Sequence, residues 1–495
     1  MNTTPAHALK LRWLALASVV PLAIMAAAMV LKPLWRDEYW SLFFSEPALA
    51  LAALLETRMI EEVHPPLYYV GLHFWRGMLP DDPVIARFLS IPILLAGAAL
   101  IWLLGRNRRE KVIFLLLSLG SYWVIYFAAE VRPYLLLYVG CALSVFLLAR
   151  MLDESDEGRA WLYPLWTLLG ILVGLTHYFG GIWFAAAGLC AGVAELIAKR
   201  PGRFIAIGIA TTIAVVPAVA WAFLSAQRLD PSLVQPSANA FGTELIHVLN
   251  QFLRGLVVKA FGSNPLALLA GFAGVVAALQ FKQRFSSVLV FAALITVLIA
   301  FAVHFGAVNW IKERAFIVIM PALIFVIARH ISALRIGDGL SARFASLIPI
   351  AAAIMPFLFI PEYFKDRERL GDLQAYVHSH AGACEGQPLL VYYRPSLHDD
   401  FQPTVARLVL RTTEGGQLFD LIEADPNAAQ QVRAPHSNCP IRAAALLLEK
   451  GGGESQRLAY QAFARAGLDT ERLQERSFGK GRNLLLVDEP APSGR

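Results

Sequence analysis

The chain has 495 residues, of which 57% are hydrophobic and 16% charged. Soluble globular proteins average about 45–50% apolar and about 25% charged residues, so an ordinary water-soluble enzyme is excluded. With 4 cysteines and no low-complexity tract, a disulfide scaffold, a collagen and a disordered chain are excluded too. Charge is unevenly spread. Residues 361–495 hold 34 charged residues in 135, and the first 360 hold the other 46. Residues 1–360 therefore read as a membrane domain and residues 361–495 as a soluble one.

A helix crosses the hydrocarbon core with about 20 apolar residues. Eleven such stretches occur, at 12–34, 84–105, 111–129, 133–151, 160–177, 179–198, 203–224, 265–281, 286–305, 314–330 and 343–360. The predicted fold class is mainly α: a polytopic bundle of about eleven spans with a large first outer loop at 35–83, followed by a C-terminal α/β domain. Lys10 and Arg12, then Arg106, Arg108, Arg109 and Lys111, then Lys199, Arg200 and Arg203 occupy alternate connections. Lys282 and Arg284, and then Arg329, Arg335 and Arg343, continue the pattern. Basic short loops stay in the cytoplasm. The predicted localisation is the cytoplasmic (inner) membrane, with the N-terminus inside and residues 361–495 outside. No small-residue cleavage site interrupts the run into Leu31–Trp35, so a cleaved signal peptide is not expected.

The opposite set of connections carries the unusual residues. Trp35-Arg36-Asp37-Glu38-Tyr39-Trp40-Ser41 follows span one, with aromatics suited to the interface. Neighbouring helical residues point about 100° apart, so Asp37 and Glu38 do not serve the same atom. A solvated helix end is the alternative there. Segment 47–60, which holds Arg58, reads as a short amphipathic helix. In Glu61-Glu62-Val63-His64-Pro65-Pro66-Leu67-Tyr68-Tyr69, Pro65 favours an extended His64, and a second surface helix starts, running through Leu72, Phe74 and Trp75.

Glu130-Val131-Arg132-Pro133-Tyr134 opens span four. Arg132 is either a snorkelling boundary residue or a phosphate clamp, for which a planar guanidinium is suited. Thr176-His177-Tyr178-Phe179-Gly180-Gly181 is a tight turn whose histidine is either structural or functional. Trp310-Ile311-Lys312-Glu313-Arg314 opens span ten with basic residues against the positive-inside trend.

Together these motifs resemble the polytopic glycosyltransferase superfamily C (GT-C), in particular the branch of protein O-mannosyltransferases and the lipid A aminoarabinose transferase. The matching elements are the acidic pair Asp37-Glu38, the run His64-Pro65-Pro66-Leu67, the run Arg87-Phe88-Leu89-Ser90, and Arg132-Pro133-Tyr134. Each motif is short; their order, spacing and shared side carry the likeness, over roughly residues 10–330. The resemblance implies a polyprenyl-phosphate sugar as donor, an acceptor hydroxyl or amine on the outer face, and inversion at the anomeric carbon. A hexosyl or pentosyl unit would pass to an envelope glycolipid such as lipopolysaccharide, to another glycan or to a protein.

In that chemistry a carboxylate takes the acceptor's proton, and Asp37 is the expected base. A cation stabilises the departing phosphate, and Arg132 and Arg314 are the expected clamps, with Arg58, Lys312 and His177 in reserve. Glu38, Glu61, Glu62 or His64 would orient sugar hydroxyls or bind a divalent metal; some members of the family need one and others do not. No metal-ligand spacing decides this, and no essential metal or other cofactor is expected. Arg87 and Tyr134 complete the expected substrate-binding set, and the lipid tail would lie between spans.

Three competing readings are open to the sequence. A transporter or lipid flippase needs mid-span charges and internal repeats, which are sparse here. A non-catalytic anchor leaves the one-sided cluster without a purpose, and an oligosaccharide polymerase or ligase does not call for the long first loop. The net charge of +6 splits into +8 before residue 361 and −2 after it, so it sets topology and does not point to nucleic acid.

In residues 361–495, Pro388–Tyr393, Ala443–Leu448 and Asn483–Val487 read as strands, and Thr404–Leu410 and Ser455–Ala466 as helices. The run from Tyr392 to Asp400 is either an acceptor-facing loop or an ordinary polar one. Cys141 and Cys190 fall within spans, where small apolar packing is expected. Cys384 and Cys439 fall in the outer domain, where an oxidising compartment allows them to pair.

Overall fold

The computed structural model describes residues 5–62, 64–153, 160–227, 284–306, 313–333 and 355–365, short pieces around 246–250 and at 461, and five strands between 389 and 488. The chain divides into two compact units: Met1–Leu31 with Phe44–Tyr363, and Lys32–Phe43 with Phe364–Arg495. The predicted span 265–281 and most of 343–360 lie outside the described residues, as do Lys312, Cys384, Cys439, the two predicted C-terminal helices and most of the Tyr392–Asp400 run.

The first unit is helical. Its elements are α1 (Pro5–Leu31), α3 (Leu51–Thr57), α4 (Leu67–Met78), α5 (Pro83–Arg87), α6 (Ser90–Leu104), α7 (Arg108–Leu119), α8 (Tyr122–Ala128) and α9 (Tyr134–Met151). They continue with α10 (Leu162–Thr176), α11 (Tyr178–Ile197), α12 (Pro201–Ala226), α13 (Arg284–Gly306), α14 (Met320–Ala333) and α15 (Ile360–Tyr363). Among the described residues, six helices are long and apolar enough to cross a membrane, or up to seven if one bent pair is a single span. The chain is an integral multi-pass membrane protein.

The bent pair is instructive. Residues 111–129 read as one span, yet α7 and α8 meet at 63°. α7 stops at Gly120, and Ser121, with extended backbone, starts the next helix. Segment 47–60 becomes α3 and a 3₁₀ turn at Met59–Glu61, with the Arg58 backbone N–H bonded to Leu54 O at the end of α3.

α9 is the buried axis of this unit. Most of its side chains are buried, so its sequence is apolar all round, where a helix facing solvent on one side would show a single stripe. Trp183 donates from Nε1 to Ser144 Oγ at 2.8 Å, and Tyr138 donates to Ser118 Oγ at 2.7 Å. At the Met151 end, long cations reach the terminal carbonyls of adjacent helices. Arg150 donates to Leu104 O at 3.1 Å, Lys111 to Trp102 O at 2.8 Å, Arg109 to Ser332 O at 3.3 Å and Arg203 to Met151 O. These are orphan acceptors at the negative ends of helix dipoles.

The second unit contains α2 (Arg36–Phe43) and a five-stranded sheet in the order β2-β1-β3-β5-β4, where β1 is Leu389–Tyr393, β2 Phe419–Glu423, β3 Ala444–Leu447, β4 Leu473–Phe478 and β5 Asn483–Asp488. β1 pairs in parallel with β2 and β3, while β5 runs antiparallel to β3 and β4. The predicted strands coincide with β1, β3 and β5, the continuous apolar runs. The edge strands β2 (Phe-Asp-Leu-Ile-Glu) and β4 (Leu-Gln-Glu-Arg-Ser-Phe) carry charges that hide them from an apolar search and guard the sheet edges.

Candidate functional site

Four chain segments bring the site together in the first unit. The first follows the 3₁₀ turn at Met59–Glu61, where Glu62 is extended (φ −83°, ψ 141°). Pro65 and Pro66 lack N–H groups, so the next helix starts only at Leu67, its first full bond running from Val70 N to Pro66 O at 2.9 Å. α4 then carries Tyr69 back toward Glu62. The Glu62 carboxylate accepts from His64 Nδ1 at 2.5 Å and from the Tyr69 hydroxyl at 3.3 Å through the same oxygen, Oε1.

The second segment is the α10–α11 turn. His177 is extended (φ −165°, ψ 138°) and caps α11: the Phe179 N–H donates to its Nδ1 at 3.2 Å. The tight turn depends on Gly180. A Cβ there would stand 2.7 Å from the Val173 carbonyl and 2.6 Å from the Val173 side chain. The turn delivers the His177 ring to 5.0 Å from that of His64, edge to face, and to 5.5 Å from that of Tyr134.

The third and fourth segments are the Glu130–Pro133 turn and the entrance to the 314–333 helix. Pro133 starts α9, making Tyr134 its first residue. The Tyr134 ring lies 4.6 Å from Phe127, and two guanidiniums approach it, Arg132 at 5.7 Å and Arg314 at 5.4 Å from the centroid. Both distances are within cation–π range.

The electrostatics follow from this packing. Burial pushes the His64 imidazole below its ordinary value. Its hydrogen bond to Glu62 and that residue's charge pull it back up, and Arg132 and Arg314 add to the fall. His177 is held well below its ordinary value by burial first, then by His64, Arg132 and Arg314. Burial, with Glu62 second, raises the Tyr69 phenol well above its usual range. The site thus joins two imidazoles that burial keeps neutral to two arginines and the Glu62 carboxylate.

Of the residues singled out in the sequence, Glu62, His64, Arg132, Tyr134, His177 and Arg314 converge here. Arg87 is buried and donates to Met29 O at 3.3 Å, tying α5 to α1. Arg58 is half-buried at the end of α3. Asp37 and Glu38 belong to the second unit, in the first turn of α2. There the buried Glu38 carboxylate accepts from the Trp35 backbone N–H at 3.3 Å, a helix-capping contact, and Ser41 donates to Asp37 O at 3.2 Å. Tyr69 and Phe127 were missed as site residues. The signal for Tyr69 was its place one helical turn beyond Pro66. Among the described residues, no three His, Cys, Asp or Glu side chains converge in a way that could hold a metal ion.

No protein-family model matches the chain, and no curated protein does. Solved structures do. The chain is similar to ArnT from Cupriavidus metallidurans in the apo state, with a TM-score of 0.56 and 14% identity, over 98% of this chain and 99% of that one. It is also similar to the same organism's ArnT bound to undecaprenyl phosphate, with a TM-score of 0.55, 14% identity and the same coverage. At this identity the likeness is one of fold. It extends over nearly the whole chain.

Proposed function

We propose that this protein is a membrane glycosyltransferase that moves a sugar from a polyprenyl-phosphate donor to an acceptor at the outer membrane face, with inversion. The observation that carries the reading is the pair of guanidiniums at Tyr134, beside two buried neutral histidines, in a chain with the fold of an undecaprenyl-phosphate-binding ArnT. Arg132 and Arg314 hold the phosphate and offset the charge that develops on it as the glycosidic bond breaks. Tyr134 sets the spacing between them. Asp37 serves as the base that takes the acceptor's proton; that role rests on the order of the motifs.

The finer topology belongs to the same reading. It comprises eleven spans in residues 1–360, a cytoplasmic N-terminus, and an α/β domain at 361–495 on the outer side that meets the acceptor, an envelope glycolipid, glycan or protein. ArnT fits this class as an aminoarabinose transferase, and its bound undecaprenyl phosphate is the kind of lipid carrier invoked here.

The test compares envelope glycolipids and glycoproteins by mass spectrometry in cells carrying the wild type, Asp37→Asn or no protein. A mass increment of one sugar should appear with the wild type and be absent from the other two. Asp37→Asn should lower turnover by about 100-fold or more while the protein remains folded. Full transfer by that variant would remove the base assignment, and identical envelopes with and without the protein would remove the enzyme reading.

A further inference from the structure

His64 and His177 use the same ring atom for opposite purposes. An ionised carboxylate only accepts, so the His64 Nδ1 that touches Glu62 carries the proton, and the neutral ring keeps a lone pair at Nε2. At His177, Nδ1 accepts the Phe179 backbone N–H, so the neutral ring carries its proton on Nε2. Each tautomer is fixed by a group the chain cannot easily move: the Glu62 carboxylate, itself held by Tyr69, and the first turn of α11. Burial and the two arginines keep both rings neutral. Nε2 of each ring has no protein partner among the described residues. The rings stand 5.0 Å apart, edge to face, beside the Tyr134 ring that Arg132 and Arg314 flank.

We infer that His64 and His177 form a hydrogen-bonding subsite of opposite polarity, one Nε2 accepting and the other donating, that grips a hydroxyl of the donor sugar next to the phosphate. The inference rests on the reading of Arg132 and Arg314 as the phosphate clamp. A hydroxyl both donates and accepts, so one such group can pair with a lone pair and an N–H together. The phosphodiester of a lipid-linked sugar has acceptor oxygens only, so it satisfies the arginines but not His64. A sugar hydroxyl near the anomeric carbon satisfies both imidazoles. Glu62 is then a positioning residue: it touches no substrate and acts by fixing the His64 tautomer.

The experiment uses the full-length protein labelled with ¹⁵N-histidine, in detergent, with two probes of equal chain length. One is a polyprenyl-phosphoryl hexose, and the other is the methyl diester of the same polyprenyl phosphate, which has no hydroxyl. Imidazole ¹⁵N shifts should report Nδ1–H for His64 and Nε2–H for His177. The hexose probe should shift both Nε2 signals, and the methyl diester should bind without doing so. His64→Gln should weaken binding of the hexose probe about tenfold, the loss of one hydrogen bond, and leave methyl diester binding unchanged, which also serves as the folding control. Glu62→Gln should release the His64 tautomer.

Like tautomers at the two rings, or equal Nε2 shifts with both probes, would overturn the subsite alone. If neither probe bound in a manner dependent on Arg132 and Arg314, the phosphate clamp would fall and the subsite with it.

Discussion

The two ends of α9 are both rich in cations, and they use them in opposite ways. At the Met151 end, Arg150, Arg109, Arg203 and Lys111 lie along the carbonyls that end neighbouring helices. Lys111 also covers the Trp102 ring at 4.3 Å, and Arg106 meets Asp153 at 2.5 Å. Arg150, Arg109, Arg203 and Lys111 are thus held by main chain that every helix must satisfy somewhere. At the Tyr134 end, Arg132 and Arg314 converge on an aromatic ring beside two histidines that burial keeps neutral. Charge alone does not tell a structural arginine from a functional one; what its neighbours do with the charge does.

The comparison predicts a division of mutational effects. Arg132→Ala should cost about 100-fold or more in kcat/KM for sugar transfer, the scale of losing a transition-state charge contact. Its thermal stability should fall less than that of an equally buried cation at the Met151 end. Arg203→Ala, by contrast, should lower stability by about 1–3 kcal/mol, through the lost carbonyl bond and the buried Glu195 it faces at 3.5 Å. The activity of its folded fraction should be unchanged, as measured by turnover normalised to a folded-protein assay. If Arg203→Ala abolished turnover without destabilising the protein, the division would be wrong.

Arg314→Lys keeps the charge and loses the planar fork. It should lower kcat/KM about tenfold, roughly one charged hydrogen bond, whereas Arg150→Lys should have no effect on kcat/KM. A thermal melt across pH gives the smallest effect. His64 and His177 have folded values below their unfolded ones, so the folded state binds fewer protons. Their contribution is complete above the ordinary histidine value near 6.5 and is lost as pH falls below it. Wild-type stability should drop on acidification from neutrality, and His177→Gln should flatten that drop.

Much of this division was legible before any coordinates. The positive-inside pattern separated the two sets of connections, and the motif residues Glu62, His64, Arg132, Tyr134, His177 and Arg314 were singled out on one of them. Their mutual contacts were not legible, because they depend on how α4, α9, α11 and the Glu313–Ile319 turn pack, and packing leaves no local signature. Arg87 shows the cost of that gap. Its guanidinium reaches the Met29 carbonyl, an acceptor 58 residues away that sequence spacing cannot reveal. The bend between α7 and α8 escaped for a related reason. Gly120-Ser121 is a stop and a start written in two small residues within an otherwise apolar run. Glu38 was visible as an acidic residue in a first turn, but its backward contact to Trp35 needed the third dimension.

The most direct test of the account is the binding of a short-chain polyprenyl phosphate to the purified protein, followed by native mass spectrometry. Three forms are compared: the wild type, the Arg132→Ala/Arg314→Ala double variant and Arg150→Ala. The account predicts a bound lipid in the wild type and in Arg150→Ala and none in the double variant. Equal binding by all three, or loss in Arg150→Ala alone, would contradict the assignment of the lipid phosphate to the Tyr134 end of α9.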